Sequence, residues 1–468
     1  MDGRSKFFVL LFGVSLFVFP VALHAQDSVR QALDTYMEAA AKMGFNGNVL
    51  VAKHGKAIYR HSFGYTDPDT RTPLDDNSVF YVASVSKQFT AMAIMLLKER
   101  HQLQLTDTLR QYFPQLPYHN ITIQQMLTHT SGLPDYFNLM IRVWDHKKVA
   151  TNADLINVLA EQRPAVFFRP GEHYRYCNTA YALLASIVEK VSGQSFHDFL
   201  AQNIFEPLHM RSSRVYAAVN GTREQINDYA YGFAYSDSLK KFVTPVKIKA
   251  YELVYFVSGI AGDGDVATTT GDLLKWDRAL KKHKLLSKPD QDDMLSPHIL
   301  YDTLSKIYYG YGDAMGTNEL GPYISHEGIW PGYRACLTRY PDQDITVIVL
   351  SNNESSATGT SRALSFIAFG KEVVPPYMHN EIAIDSALLK PLAGTYLSPA
   401  PVELTVHNGK LYRHKASTAD IELKPESTTK FFYADSSDRQ IEFLLDAQGK
   451  VEKTWLISNG IKSALIKQ

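Results

Sequence analysis

Two cysteines in 468 residues exclude a disulfide-rich scaffold, a zinc site of four thiolates and a cysteine-held iron–sulfur cluster. Excess charge is missing as well, with 48 Lys+Arg against 48 Asp+Glu. A nucleic-acid partner needs surplus cations to displace counterions, so none is expected. No G-x-S-x-G elbow, phosphate-binding loop or H-E-x-x-H helix occurs. His326-Glu327 opens like a zinc-protease helix, but Gly328 and Pro331 follow and no second His arrives at the required spacing. The 16 histidines form no clustered ligand pattern. Neither a metal nor a cofactor is therefore expected.

Long apolar runs are absent except at the start. Arg4 and Lys6 precede an apolar stretch from Phe7 to Leu23, with Ala25 at a cleavage-like position. This is the layout of a secretory signal over residues 1–25. The stretch is about 17 residues, short of the roughly 20 that span a bilayer, so no transmembrane anchor is expected after processing. The absence of a Cys after it argues against lipoprotein processing. The mature chain is expected in a periplasm or outside the cell. Even there, Cys177 and Cys336 read better as two buried free thiols than as a bridge, because spacing alone does not bring two Cα atoms together.

What is present is ordinary globular material, 45% hydrophobic and 21% charged, with 27 Tyr and 24 Phe for a large core and an aromatic cleft. At about 150 residues per domain the length suits two or three modules. Val29, Ala32, Leu33, Tyr36, Met37 and Ala40 mark an amphipathic helix. Two strands follow, Asn48–Ala52 and Ala57–Arg60, joined by a turn at Gly55. Helices are predicted at 151–161, 181–191, 271–282 and 361–369, and a buried strand at 345–350. The pattern predicts a mixed α/β (α+β) fold, an antiparallel sheet covered by helices with a mostly helical subdomain. After Pro376 about eight short alternating segments, punctuated by turns such as Asn408-Gly409 and Asn459-Gly460, predict a small closed β-barrel. The expected division is 26–375 for the first domain, 376–390 for a linker and 391–468 for the barrel.

An S-x-x-K pattern occurs three times, at Ser84–Lys87, Ser238–Lys241 and Ser427–Lys430. The last two lie in polar stretches. The first opens a segment, Phe89 to Leu97, that is apolar nearly all round and so a buried helix. Ser84 falls near its N-cap, and Lys87 one turn along on the same side, about 4.5 Å up the axis. A cation in a first turn opposes the helix dipole, and a buried ammonium must be paired or neutralised. A lysine snorkelling past an ordinary Ser cap would have the same sequence. The chemical alternative is a serine nucleophile beside a proton acceptor, with the helix start supplying N–H groups to an oxyanion. Deprotonating an ordinary lysine at pH 7 costs roughly 4.6 kcal/mol, so burial or a second basic group must remove most of that. A Tyr coupled to the lysine is one such group. Tyr-x-Asn occurs at Tyr118, Tyr136 and Tyr176, and only Tyr176-Cys177-Asn178 sits between a Pro170-Gly171 turn and a helix start. The other two read as loop aromatics. His326-Glu327-Gly328 stands before a strand near 333–340, where a Gly allows a substrate to approach the backbone.

Taken in order, Ser84-Val85-Ser86-Lys87, Tyr176-Cys177-Asn178 and His326-Glu327-Gly328 resemble the serine β-lactamase and penicillin-binding-protein superfamily. The likeness is greatest to class C β-lactamases, D-aminopeptidases and related esterases. The phrases Met126–Asp135, Gly262-Asp263-Gly264 and Trp330–Tyr333 are similar too, so the likeness covers about residues 30–370. The tail resembles the lipocalin-like barrel carried by some of these hydrolases. The resemblance implies a β-lactamase/transpeptidase-like fold and an exported serine hydrolase acting on an ester or amide, whether D-peptide or β-lactam. Ser84 would be acylated, Lys87 would be its hydrogen-bonded partner, and Tyr176 would move the proton. Asn178 would bind the substrate amide or Lys87, and the N–H groups of Ser84 and Ile329 would form the oxyanion hole. The family position of His326 often carries a Lys that attracts a substrate carboxylate, so a largely neutral His tilts the expectation away from a dedicated penicillinase. Glu327 would favour a cationic group. His129, in the His-Thr-Ser-Gly phrase, reads as scaffold. The alternative function is a receptor for penicillin or peptidoglycan fragments that acylates without turning over.

Overall fold

The computed structural model describes residues 19–216, 226–397, 401–415, 418–435 and 437–468. Residues 1–18 of the predicted export signal lie outside the described residues. Among those described, no helix is long and apolar enough to cross a membrane.

The described residues begin with helix α1 (Phe19–Lys42), which leads into an antiparallel hairpin of β1 (Gly47–Lys53) and β2 (Lys56–Phe63). The next helix, α2 (Lys87–Glu99), is buried from Lys87 to Leu97, as its all-round apolar composition requires. Helices α3 (Tyr136–Val143), α4 (Asn152–Gln162), α5 (Asn178–Ser192) and α6 (Thr270–Lys281) build the helical part. Their starts are set by polar caps that apolar periodicity does not register. Thr151 accepts the N–H of Asp154 in a capping box, Asp135 accepts that of Phe137, and Thr269 that of Asp272.

Six further strands complete the main sheet: β3 (Ile299–Asp302), β4 (Ile307–Tyr309), β5 (Ala314–Asn318), β6 (Gly321–Trp330), β7 (Tyr333–Tyr340) and β8 (Ile345–Ser351). The spatial order is β2-β1-β8-β7-β6-β5-β4-β3, with the ends of the chain segment meeting where β1 pairs with β8. Strand β8 is buried at every residue because helices cover both faces of the sheet. The face toward α6 contributes Leu50, Leu337 and Ile348 to the larger core, which also holds the buried residues of α2 and α5. The opposite face contributes Val49, Val347 and Val349 to a second core beneath α1 and α7 (Ala357–Ala368).

The predicted barrel is a closed eight-stranded one, β9 to β16 in sequential order: Gly394–Leu397, Pro401–His407, Lys410–His414, Ile421–Pro425, Lys430–Tyr433, Arg439–Leu445, Val451–Ser458 and Ile461–Lys467. Leu404, Leu411, Leu423, Phe431 and Ile441 fill its interior from alternating positions. The barrel rests on the sheet-and-helix layers through Ile461, which is buried in the second core.

His326-Glu327-Gly328 lies within β6 rather than in a loop ahead of the 333–340 strand, and Gly328 pairs with Ala335. Ser427 and Lys430 close a barrel turn, with Lys430 N donating to Ser427 Oγ.

The turn joining β4 to β5 packs on the start of α2, since a Cβ at Gly312 (φ +85°) would lie 2.8 Å from the Lys87 carbonyl oxygen. The next residue, Asp313, forms an ion pair of 2.6 Å with Arg339, the two side chains being 1% and 7% exposed. Removing the carboxylate leaves a buried guanidinium without its charge partner, which costs about 3–5 kcal/mol. Asp313→Ala should therefore lower the thermal unfolding midpoint by many degrees, read by circular dichroism. A midpoint within a degree of wild type would show that the pair contributes nothing to stability.

Candidate active site

A sharp turn presents Ser84. Ala83 takes a left-handed φ of +46°, an unfavourable conformation for a residue with a side chain, and the turn Ala83–Ser86 leads directly into α2 at Lys87. Ser84 thus precedes the α-helix in a 3-10 turn rather than capping it. Two neighbours hold the turn. Ser86 Oγ accepts the N–H of Val266 at 2.9 Å, and β6 lies against the backbone of Val82. A Cβ at position 328 would sit 2.1 Å from the Val82 carbonyl oxygen. The close approach that requires Gly328 is therefore made by the turn that carries Ser84, not by a substrate.

Lys87 is fully buried below Ser84. Its Nζ is 3.1 Å from Ser84 Oγ, 2.9 Å from Asn178 Oδ1 and 2.6 Å from the main-chain oxygen of Asp263. The Asn178 amide cannot turn over, because its Nδ2 and its main-chain N–H both donate to Asp135 Oδ2, each at 3.0 Å. Two of the three neighbours of Nζ are thus obligate acceptors. A neutral amine donates one hydrogen to each and keeps its lone pair for the Ser84 hydroxyl. Burial pulls the Lys87 pKa well below the ordinary lysine range, while the charges of Asp263 and Asp135 oppose that shift. Burial likewise raises Asp263, whose carboxylate accepts the Tyr136 hydroxyl at 3.2 Å.

Tyr176 joins the same group. Its ring centre is 4.8 Å from Lys87 Nζ. Its hydroxyl makes no hydrogen bond of full geometry, yet lies near enough to the Ser84 hydroxyl for that group to favour ionisation. Burial outweighs this and holds the phenol protonated. The buried His129 ring packs on Tyr176 at 4.2 Å between centres, and His129 Nδ1 accepts the N–H of Cys177 at 3.1 Å. It props the loop before α5, as a scaffold residue does. Both cysteines are free and buried, and Cys177 Sγ faces the Leu133 carbonyl at 3.4 Å.

These groups open into a cavity of about 650 Å3. Pairing between β5 and β6 ends at Ala314–Ser325, so His326 to Trp330 have no β5 partner and offer strand edge to the cleft. His326 Nδ1 donates to the Glu327 carbonyl at 2.7 Å, and Nε2 accepts the Tyr309 hydroxyl at 2.9 Å. Burial, reinforced by the Lys87 charge, lowers the His326 pKa to about 3. The imidazole is neutral at pH 7. Among the described lining residues there is no Lys or Arg, while Asp263 and Glu327 are acidic.

The structure brings together Ser84, Lys87, Tyr176, Asn178, His326, Gly328 and Ile329. Sequence reasoning underrated Tyr136, which lines the cavity and binds Asp263, whereas Tyr118 donates to the Pro164 carbonyl. It gave no role to Asp135 or Asp263. Both stand in the quoted phrases, and two acidic residues beside a Tyr and a Gly-rich turn were the available signal.

The family described as Beta-lactamase matches residues 29–369. The chain is 38% identical over 430 residues to penicillin-binding protein 4* of Bacillus subtilis, covering 90% of this chain and 95% of that one. It is 24% identical over 360 residues to a D-aminopeptidase of Brucella anthropi, covering 76% and 65%. The crystal structure of a penicillin binding protein from Bacillus halodurans superposes with a TM-score of 0.62 at 28% identity, over 71% of this chain and 98% of that one.

Asp263 raises the Lys87 pKa, and the amine is the form able to take a proton. For a neutral ester, kcat/KM should rise with pH along a limb centred below the usual lysine value of about 10.4. Asp263→Asn should move that limb to lower pH. A limb that stays put, or moves up, would contradict the electrostatic assignment. Gly328→Ala should reduce kcat/KM by a factor of about ten or more, through a displaced nucleophile turn, measured on the same ester.

Proposed function

The chain belongs to the beta-lactamase family, and on that premise we propose that it forms a covalent acyl-enzyme at Ser84 with Lys87 as the proton acceptor. It is a serine hydrolase. The observation that carries the mechanism is the set of three contacts at Lys87 Nζ. As Ser84 Oγ attacks the scissile carbonyl, its proton passes to the lone pair of Nζ. The main-chain N–H groups of Ser84 and Ile329 receive the oxyanion. Tyr176, a phenol placed over Lys87 and beside Ser84, hands a proton to the departing amine or alkoxide. The phenolate so formed is stabilised by the Lys87 ammonium and is reprotonated from it. Water then attacks the acyl group by the reverse proton path.

The favoured substrate is an ester or amide whose acyl part carries an amine or no charge, of the D-aminoacyl kind. A neutral His326 offers no cation to a substrate carboxylate, and Glu327 at the cavity rim attracts an ammonium. The name of the D-aminopeptidase relative supports the same reading. The basic and apolar start of the chain supports export to a periplasm or the medium. The texture change near Pro376 supports a hydrolase domain over 26–375, a linker over 376–390 and a barrel domain over 391–468.

A panel of D-alanine p-nitroanilide, p-nitrophenyl acetate and nitrocefin, with Ser84→Ala as control, tests this. The anilide and ester should turn over with kcat/KM at least about tenfold above nitrocefin, a difference of about 1.4 kcal/mol. A fluorophosphonate adduct should map to Ser84. Preference for nitrocefin would reverse the substrate reading. One equivalent of product followed by silence would instead identify a receptor that acylates without turning over.

A further inference from the structure

Glu327 does not stand free at the cavity rim. Its Oε2 accepts the hydroxyl of Thr358 at 2.8 Å. Thr358 belongs to the first turn of α7, and both side chains line the cavity. A surface glutamate loses rotamer freedom when fixed, so a donor placed in advance favours one direction of the carboxylate. The position of Thr358 therefore decides where the charge points.

That turn of α7 is in contact with the barrel. A Cβ at Gly359 would lie 2.3 Å from Asn459 Oδ1 and 2.8 Å from Asn459 Cγ, so the Asn459 side chain packs directly on the helix backbone. Asn459 is the tip of the turn between β15 and β16, at φ +49°. Its neighbours anchor it to the hydrolase side. The Gly460 carbonyl accepts the N–H of Val374 at 2.9 Å, and Ile461 is buried in the core beneath α1 and α7. Within the barrel, Asn459 N donates to the Asp438 carbonyl at 3.1 Å.

We propose that the β15–β16 turn of the barrel is a specificity element, in which Asn459 holds the first turn of α7 so that Thr358 directs Glu327 toward the substrate's amino group. Asn459 and Thr358 are positioning residues, and neither touches the reacting atoms. The proposal rests on the reading of Glu327 as the group that attracts an ammonium. It gives the barrel a part in substrate choice while leaving Ser84 and Lys87 untouched.

The test compares kcat/KM for D-alanine p-nitroanilide, which carries an ammonium, with that for p-nitrophenyl acetate, which carries no charge, in the full-length protein. Asn459→Gly removes the side chain and keeps a residue at ease with positive φ. It should lower the anilide-to-ester ratio about threefold, within the range of coupling between residues in contact. The loss should appear in KM for the anilide, with ester turnover unchanged. Thr358→Val should lower the ratio to a similar degree, and the double variant should fall no further than the single ones. Glu327→Gln should lower it about tenfold. A ratio unaffected by Glu327→Gln would overturn the reading of Glu327 itself. A ratio that falls in Glu327→Gln and Thr358→Val but not in Asn459→Gly would overturn the barrel's part alone. Equal losses on both substrates in Asn459→Gly would mark a general structural role and overturn the proposal too.

Discussion

The structure is arranged around one buried amine. Lys87 has no exposed surface, and the polar groups around its Nζ come from three separate stretches of chain: Ser84 beside it, Asn178 at the start of α5, and the Asp263 main chain. An ammonium in that place without partners would cost far more than the protein's net stability. The site therefore exists only when the helical part has closed on α2. Closure also sets the chemistry, since the two obligate acceptors occupy two hydrogens and leave one direction for the serine. The Asp135 contacts that lock the Asn178 amide are part of the same constraint.

Charge is distributed with equal economy. Asp263 and Asp135 oppose the effect of burial on Lys87, which keeps the amine within reach of both protonation states. In the same cavity His326 is held neutral by burial and by the Lys87 charge, against the Glu327 carbonyl, which favours the charged ring. A family position often used to hold a carboxylate is here an uncharged hydrogen-bonding ring. The cavity's carboxylates, Asp263 and Glu327, then stand without a Lys or Arg among the described lining residues. Close backbone packing at Gly312 and Gly328 fixes the Ser84 turn against the sheet, so its strained Ala83 conformation is maintained by its surroundings.

Much of this was legible in order along the chain. The all-round apolar run after Lys87 dictated a buried helix, and the strict alternation after residue 390 dictated strands, because helix and strand periods bury different residue sets. The three motifs named residues that the structure gathers at one cavity. The helices predicted from 181 and 361 begin at Asn178 and Ala357, because their first turns, Asn178-Thr179-Ala180 and Ala357-Thr358-Gly359-Thr360, carry little apolar signal. Gly328 was assigned to substrate approach because a sequence shows that a Cβ is excluded without showing what excludes it. Tyr136 was set aside for the same reason, since nothing local tells which Tyr-x-Asn phenol faces the cleft.

By itself, then, the sequence determined the first hairpin, the buried helix after Lys87, the barrel strands and the family to which the chain belongs, since these depend on residue type and short-range spacing. The tertiary structure alone decided how burial shifts Lys87 and His326, which acids oppose that shift at Lys87, and what closes on Gly328. These depend on burial and on contacts between segments as far apart as Lys87 and Asp263, or Gly359 and Asn459, and distance through space is not written in distance along the chain.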